Sequence, residues 1–390
     1  MAIRIGAGLS THTSGAVAAR AAVREALAPL AGARPDLVLL FVAPQHEAEG
    51  QVILDLVSAA TAGATLIGCS AGGIIGGAHE VEDVAAVAVW AASLPGAEIE
   101  PLRLTFQRDG AHGVIDGMTE PTPGEGGFVL LLADPYTFPA DQFLAHQNEH
   151  DPGVPVVGGM ASGGLGAGRN RLYRGGEILT DGAVGVVVHG VAASTVVSQG
   201  CRPIGETFAV TRAERNIIHD LGGRPALRRV EELYEAATDR DQLLMRRGFH
   251  VGQAISELKP ELRRGDFIIR NVVGTDQGSG ALAISDVVEV GQTIQFQVRD
   301  AQSAREDLRE LLKADGTAAV GPVAGALLFS CNGRGQALFG QPDVDIGAVQ
   351  DQHGDVAVAG FFAAGELGPV GGRNYLHGFT ASLLLFRDSP

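Results

Sequence analysis

The sequence contains 390 residues with a formal net charge of −16, and 45% of them are hydrophobic while only 19% are charged. This composition is typical of a globular protein with a sizeable core and excludes an intrinsically disordered chain. Because an acidic surface repels phosphate groups and anionic lipid headgroups, neither nucleic acid nor a membrane surface is predicted as a partner.

The cysteines and the N-terminal stretch indicate the cellular compartment of the protein. Cys69, Cys201 and Cys331 are far apart and odd in number, so they predict neither a disulfide framework nor a Cys-X-X-Cys zinc site. Residues 1–27 lack the apolar core of a signal peptide, and no run of about 18 apolar residues predicts a membrane span. We therefore expect a cytoplasmic protein.

One order of elements occurs three times along the chain. In each copy an apolar strand ends in a polar turn, some twenty residues follow, and a second strand ends in a loop rich in Gly, Ala and Ser. The paired strands are 36–44 with 66–76, 127–135 with 155–166, and 325–333 with 357–368. Helical patterning at 48–63 and 138–150 and returning strands at 82–90, 181–190 and 377–386 complete the copies. The pattern predicts an α/β fold in which β-α-β repeats form mixed sheets flanked by helices.

The character of the sequence changes between the second and third copies. Residues 224–248 predict one charged amphipathic helix, and 280–300 predict strands of a β-hairpin. The segment SAREDLRELLKADG predicts a helix from Ser303 to Gly316, with a serine start and a glycine stop.

A domain boundary is predicted near residues 221–223. Residues 1–221 form the expected N-terminal domain with two copies. Residues 222–390 form the C-terminal domain, with the third copy and its inserted strands and helices. Because no low-complexity linker separates them, the two domains are expected to pack tightly.

The stretch HQNEH, His146–His150, matches the H-x-x-E-H pattern in which two histidines on one helix face bind zinc. The residues DPG follow directly and end the helix where the second ligand would have to be held. We interpret these histidines as polar residues at a helix C-terminus and predict no metal site.

Two charged residues lie in the two loops of the third copy. Arg334 follows its first strand and Glu366 follows its second, so neighbouring strands would bring both to one crevice. Arginine donates two hydrogen bonds to a carboxylate and glutamate accepts an ammonium, which predicts a clamp for a small zwitterion. The alternative is that the two side chains pair with each other or cap turns.

Three further residues are candidates for the same site. Cys331 follows the first strand of the third copy, where it is a weak candidate for a catalytic nucleophile, or a small buried hydrophobe. Arg270 interrupts an apolar strand and needs either a partner or a cavity. His377 follows the Glu366 loop, where it could line the crevice or stabilise a turn.

Several stretches of the sequence resemble the FIST family, whose members combine a FIST N domain with a FIST C sensory domain. The most specific are FSCNGRG at 329–335 and GFFAAGELGPVGGRNYLHGFTASLLLF at 360–386, and the resemblance runs from about residue 5 to 386. It implies a sensor for amino acids or similar metabolites that works with signalling modules such as histidine kinases. The family motifs map onto Cys331, Asn332, Gly333, Arg334, Gly365 and Glu366.

We therefore expect a stand-alone sensory protein that binds a small metabolite and signals through a separate chain. The predicted ligand-binding residues are Arg270, Cys331, Asn332, Arg334, Glu366 and His377. No cofactor is predicted. Three alternatives stay open: a cysteine-dependent hydrolase or transferase, a protein-interaction scaffold, and a haem-binding gas sensor, because some family members resemble haem-binding nitric-oxide sensors.

Overall fold

A computed structural model describes residues 2–109, 112–117, 126–259, 261–318 and 321–388. The chain divides into two compact units, the first formed by Met1–Val197, Leu308–Leu376 and Thr380–Pro390 and the second by Ser198–Asp307 with His377–Phe379. The second unit is thus inserted between the second and third copies. The boundary predicted near residues 221–223 divides the chain elsewhere and stays a prediction.

The elements follow one another in chain order. Those before residue 200 are β1 (Arg4–Ser10), α1 (Gly15–Leu27), β2 (Leu37–Val42), α2 (Gly50–Ala60), β3 (Thr65–Ser70), β4 (Gly73–Gly77), β5 (His79–Glu82), β6 (Val87–Ser93), β7 (Glu98–Asp109), β8 (His112–Asp116), β9 (Phe128–Ala133), α3 (Ala140–His150), β10 (Val156–Met160), β11 (Leu172–Arg174), β12 (Glu177–Leu179), β13 (Ala183–His189) and β14 (Ala193–Gln199). Those between residues 200 and 300 are β15 (Cys201–Glu214), β16 (Ile217–Leu221), β17 (Arg224–Pro225), α4 (Ala226–Ala236), α5 (Asp239–Arg247), β18 (Phe249–Ala254), β19 (Phe267–Asp276), β20 (Ala281–Ile284) and β21 (Thr293–Arg299). The remaining ones are α6 (Ala301–Ala318), β22 (Val323–Cys331), α7 (Gly335–Phe339), α8 (Val344–His353), β23 (Ala357–Ala363), β24 (Glu366–Val370), β25 (Arg373–His377) and β26 (Thr380–Arg387).

The three predicted copies are confirmed, and each builds its own sheet. The first two strands of a copy pair in parallel: β2 with β3, β9 with β10, and β22 with β23. The returning strand pairs antiparallel on the other side of the first strand, as β6, β13 and β26 do. The α/β class with mixed sheets and flanking helices is therefore confirmed.

The hairpin that follows each second strand leaves its own copy and extends the sheet of another. Strands β4–β5 join the sheet of the third copy through β23, strands β24–β25 join that of the second copy through β10, and strands β11–β12 join that of the first copy through β3. The hairpins pass around the three sheets in a cycle. Each sheet consequently contains strands from two copies.

The core of the first unit lies between its three sheets. Trp90 of β6 packs on Phe386 of β26 with ring centroids 4.9 Å apart, and Phe128 of β9 meets the same phenylalanine edge-on at 5.7 Å. Strand residues pointing the other way contact helices: α1 and α2 cover the first sheet, α3 the second, and α6 with α8 the third. Central strands such as β2, β6 and β9 are buried on both faces, which explains the nearly continuous apolar runs of the sequence.

One glycine recurs in the second strand of every copy because the backbones approach closely there. A Cβ atom on Gly68, Gly158 or Gly360 would lie 1.7–2.0 Å from a carbonyl oxygen of the paired first strand. These glycines oppose Leu40, Leu131 and Leu328 in the parallel ladders. The three copies thus share a packing constraint as well as an order of elements.

Replacement of Gly360 by alanine is expected to lower the free energy of unfolding by about 1–3 kcal/mol, because the new methyl group must push the Leu328 carbonyl aside. Urea denaturation followed by the fluorescence of Trp90, the single tryptophan, measures the change in the first unit. Gly347→Ala is the matched control, since a Cβ there meets nothing within 4 Å and helix α8 gains propensity. Equal midpoints for the two variants would contradict the argument.

The second unit is built on an antiparallel sheet that closes on itself. Its strand order is β15-β21-β18-β19-β20-β16-β17, and β15 also pairs with β16. The long strands β15 and β19 each pair with two different strands. The first half of β15 pairs with β21 and its second half with β16. The first half of β19 pairs with β18 and its second half with β20. The strands predicted at 280–300 are present as β20 and β21, but they do not form a hairpin: β20 pairs with β16 and β19, and β21 pairs with β15 and β18.

Two predicted helices have different bounds from those expected. The single helix expected over 224–248 is two helices, α4 and α5, because Thr238 caps α5 by accepting a hydrogen bond from the Asp241 amide at 3.2 Å. Helix α6 begins at Ala301 rather than Ser303, since Asp300 precedes it and its Oδ1 accepts the Gln302 amide at 3.1 Å.

Among the helices that the structure describes, none is both long and apolar enough to cross a lipid bilayer.

Candidate functional site

Arg334 and Asp345 form a buried ion pair in the first loop of the third copy. Both side chains are inaccessible to solvent, and the guanidinium donates from Nε and Nη2 to the two carboxylate oxygens at 2.7 Å each. Ser330, at the end of β22, donates a third hydrogen bond to Oδ2 at 2.7 Å. The Arg334 guanidinium also lies 5.3 Å above the ring of Phe339. Arg334 therefore pairs with Asp345 and not with Glu366.

Glu366 is fully buried at the start of β24, in the second loop of the same copy. Its Oε2 accepts hydrogen bonds from the amide and the hydroxyl of Thr380, at 3.1 and 2.9 Å. Burial raises the pKa of Glu366 to about 8, and Thr380, the charge of Arg334 and the Cys331 thiol oppose that rise. At neutral pH this side chain is predominantly a neutral acid, whereas the predicted clamp used an ionised carboxylate.

A second buried acid reaches this region from the first copy. Glu80 lies on β5, and its Oε1 accepts the amide of Ile346 in α8 at 2.8 Å. Burial first and then the nearby charge of Asp345 raise the pKa of Glu80 to about 7. The region thus holds the Arg334 guanidinium with its partner Asp345 and two buried acids with raised pKa values, which limits the net charge buried there.

The three copies differ at the position of Glu366. In the ladders between copies, Glu366 opposes Gly159, Ile74 opposes Phe361 and Leu172 opposes Cys69, so Ile74 and Leu172 are the counterparts of Glu366. A titratable side chain occupies this position in the third copy alone. The strand pairing around the three loops is the same. The third copy therefore differs from the other two in the chemistry of this side chain and not in its fold.

The remaining predicted residues fall in different places. Cys331 ends β22, and its Sγ accepts the Gly333 amide at 3.4 Å, while Asn332 is exposed and its amide donates to Ala363 at 2.9 Å. Arg270 lies on β19 in the second unit, where its guanidinium pairs with Asp286 at 2.7 Å. His377 is buried and also belongs to the second unit. The structure thus brings Cys331, Arg334 and Glu366 together in one unit.

Sequence reasoning missed Asp345, Glu80 and Thr380. Asp345 lies in the stretch PDVDIG, in the first turn of α8, where an acid at the start of a helix was a usable signal for a partner of Arg334. Glu80 gave no such signal, because it comes from a hairpin that crosses to another copy's sheet.

The two histidines of HQNEH lie in the last turn of α3. Their rings stack with centroids 3.8 Å apart, and Nδ1 of His150 is 2.9 Å from the carbonyl oxygen of His146. Within the described residues, no three His, Cys, Asp or Glu side chains converge to hold a metal ion.

The comparisons with known proteins cover most of the chain. The FIST N domain matches residues 36–224, and the FIST C domain matches residues 226–369. The chain belongs to the FIST family. Two uncharacterized proteins of Mycobacterium tuberculosis, MT0656 of strain CDC 1551 and Rv0628c of strain H37Rv, are each 45% identical over 386 residues, covering 99% of this chain and 100% of theirs. Uncharacterized protein Mb0898c of Mycobacterium bovis is 43% identical, with 99% of both chains covered.

Proposed function

We propose that this FIST protein is a sensor that binds an amino acid or a similar small metabolite at the loops of the third copy. FIST domains are associated with sensory signalling, which supports a role of this type. The observation that carries the proposal is the fully buried acid Glu366, at a position where the other two copies have Ile74 and Leu172. Buried acids with raised pKa values cluster at functional sites.

The site would act through the chemistry of its two loops. The neutral Glu366 carboxyl can donate a hydrogen bond to a ligand carboxylate, and it can accept one from a ligand ammonium after losing its proton. Arg334, held by Asp345, supplies a fixed positive charge and acts as a positioning residue for the loop. The ends of parallel strands β22 and β23 are where open α/β sheets commonly bind ligands.

Ligand binding would be transmitted through the hairpin β24–β25, which joins the sheet of another copy. Glu366 begins β24, whose pairing partner β10 belongs to the second copy, so a change at the carboxyl reaches two sheets. The output would pass to a separate signalling protein such as a histidine kinase, and we propose a cytoplasmic location for both.

A thermal-shift panel of free amino acids, small organic acids and haem tests the proposal on the full chain. A ligand at about 100 times its dissociation constant stabilises the folded state by roughly 2.7 kcal/mol. We expect a hit among the amino acids or acids, lost in Glu366→Gln and retained in the control Glu25→Gln, which changes an exposed acid on α1. The assignment would be contradicted if no compound of the panel stabilised the protein, or if a stabilising compound also stabilised Glu366→Gln.

The same experiment separates the alternatives. A shift with haem alone, accompanied by a Soret band, would support the gas sensor. A thiol reagent that labels Cys331 in the folded protein and does so more slowly with a bound hit would place the ligand beside that thiol.

A further inference from the structure

A narrow cleft lies at the carboxyl-terminal edge of the first copy's sheet, within the first unit. Strands β2 and β3 end there side by side, with Val42 opposite Ser70 in the last pair of their parallel ladder. Residues of the second copy, from its glycine-rich loop and from β11, also line the cleft. Open α/β sheets commonly bind ligands at this edge.

Ser70 makes this edge polar in the first copy. In the three parallel ladders, the residues two positions beyond the shared glycine are Ser70, Met160 and Phe362. Ser70 is 6% exposed, and its Oγ accepts the amide of Arg171 at 2.9 Å. The hydroxyl still carries its own proton, which none of the described residues accepts. A Cβ on Gly163 would lie 2.5 Å from this oxygen, so the glycine leaves room beside the hydroxyl.

Tyr173 brings a second hydroxyl to the lining. Its ring packs in the apolar cluster beneath α1 and α2 and is 1% exposed, yet the hydroxyl makes no hydrogen bond with any residue in the described part of the chain. The Trp90 nitrogen is enclosed without a partner, whereas the Tyr173 oxygen keeps accessible surface on the cleft. Burial raises the pKa of Tyr173, so the hydroxyl keeps its proton and can donate it to a ligand.

The charged residues of the lining make the cleft locally positive on a chain whose net charge is −16. They are Glu47, Arg169 and Arg171. Arg171 is held in place, because its Nη2 pairs with the Glu47 carboxylate and its Nη1 donates to the Gly168 carbonyl at 2.8 Å. Arg169 is exposed, and within the described ranges its guanidinium has neither an ion pair nor a hydrogen bond. One unpaired guanidinium beside two hydroxyl donors favours an anion.

The space in the cleft limits the shape of that anion. Its enclosed part has a volume of about 10 Å³, which holds one group the size of a water molecule. The buried residues Ser70 and Tyr173 define the inner end, and the exposed Arg169 lies at the mouth. A tetrahedral phosphate group can place one oxygen inside and direct the others to the mouth. A planar carboxylate has only two oxygens for these three donors.

We propose that this cleft binds a phosphate group, either as inorganic phosphate or as the end of a small phosphomonoester. One phosphate oxygen accepts hydrogen bonds from the Ser70 and Tyr173 hydroxyls, and the Arg169 guanidinium binds the outer oxygens with two parallel hydrogen bonds. The rest of a phosphomonoester stays outside the cleft. The inference does not depend on the function proposed for the third-copy loops, since it uses none of their residues.

Phosphorus NMR of inorganic phosphate and of glycerol 3-phosphate, titrated with the full chain at constant ionic strength, tests the site. We expect the resonance of at least one probe to broaden, and broadening of one alone identifies the form that binds. Sulfate should compete with the bound probe, whereas acetate at the same concentration should not. Arg169→Gln should weaken binding at least about tenfold, because a charged, paired hydrogen bond is lost.

Tyr173→Phe separates a ligand-binding role from a structural one. The hydroxyl has no partner among the described residues, so its removal should leave the melting temperature unchanged while phosphate affinity falls about tenfold. Arg20→Gln is the matched control for charge, since Arg20 is an exposed arginine on α1 outside the cleft, and it should keep the wild-type affinity. Gly163→Ala gives a second test, because the methyl group crowds the Ser70 hydroxyl and should weaken binding with every donor present.

Three outcomes would overturn the inference: no broadening of either probe with the wild type, equal competition by acetate, or unchanged affinity in both Tyr173→Phe and Arg169→Gln. Glu366→Gln should leave phosphate binding intact. Loss of binding in Glu366→Gln with retention in Tyr173→Phe would place the phosphate at the third-copy loops and refute the site. Failure of the amino-acid panel and failure of these titrations are thus separate results.

Discussion

Replacing Asp345 by alanine is expected to lower the free energy of unfolding of the first unit by about 3–5 kcal/mol. The change leaves the fully buried Arg334 guanidinium without its two hydrogen bonds at 2.7 Å, and it deprives the Ser330 hydroxyl of its acceptor. Breaking one side of a buried ion pair is far more harmful than losing the pair. Urea denaturation followed by Trp90 fluorescence measures the effect, because Trp90 lies in the central core of this unit.

Two comparisons make the test specific. Asp351→Ala lies on the same helix α8 but removes an exposed partner of Arg309, and its effect should stay within about 0.5 kcal/mol. The double variant Arg334→Met with Asp345→Leu should recover most of the loss, since it removes both charges together. If Asp345→Ala behaved like Asp351→Ala, Arg334 would have to find water or another partner, and its role as a fixed charge would fail.

The wild-type protein is expected to lose stability relative to Glu366→Gln as the pH rises from 6.5 to 8. Burial raises the pKa of Glu366 from 4.5 to about 8, so the folded state keeps a proton that the unfolded chain has released. The stability that this proton linkage contributes is fully present below pH 4.5 and is lost as the pH rises through 8. Over the chosen window the difference amounts to on the order of 2 kcal/mol.

Melting curves at half-unit pH intervals give the measurement. Glutamine resembles the protonated acid but does not titrate, so the wild type should be the more sensitive of the two to alkaline conditions. Glu80→Gln should produce a smaller effect that is complete near pH 7, in keeping with the lower pKa of Glu80. The exposed-site control Glu25→Gln should run parallel to the wild type throughout. Parallel curves for Glu366→Gln would show that the carboxyl ionises freely in the folded protein.

The architecture of the copies could be predicted from the sequence because it depends on local patterning. Apolar runs bounded by glycine-rich loops, with helical periodicity between them, specified the parallel pairs β2–β3, β9–β10 and β22–β23 and the returning strands. The adjacency of the loops that hold Arg334 and Glu366 followed from the same pattern. These features involve contacts within one copy.

Contacts between copies could not be read in this way. The stretch GIIGGAHEVE looks like a hairpin of the first copy, and nothing local indicates that it pairs with a strand some 280 residues later. The buried acid Glu80 was missed for that reason. The break at Thr238 is different, since a threonine followed by acidic residues is a known helix start, and it was available in the sequence.

The cyclic exchange of hairpins has a consequence for biosynthesis. Strands β4–β5 leave the ribosome early, but their partner β23 follows only after the second copy, the whole barrel and β22 have been made. At ordinary translation rates the delay is on the order of tens of seconds. During this time Ile74 and Ile75, which end up fully buried, have no strand to cover them. Acidic residues beside an unpaired strand oppose its aggregation, and β5 carries Glu80 and Glu82. We therefore expect these two glutamates to protect the nascent chain before they take their places beside α7 and α8.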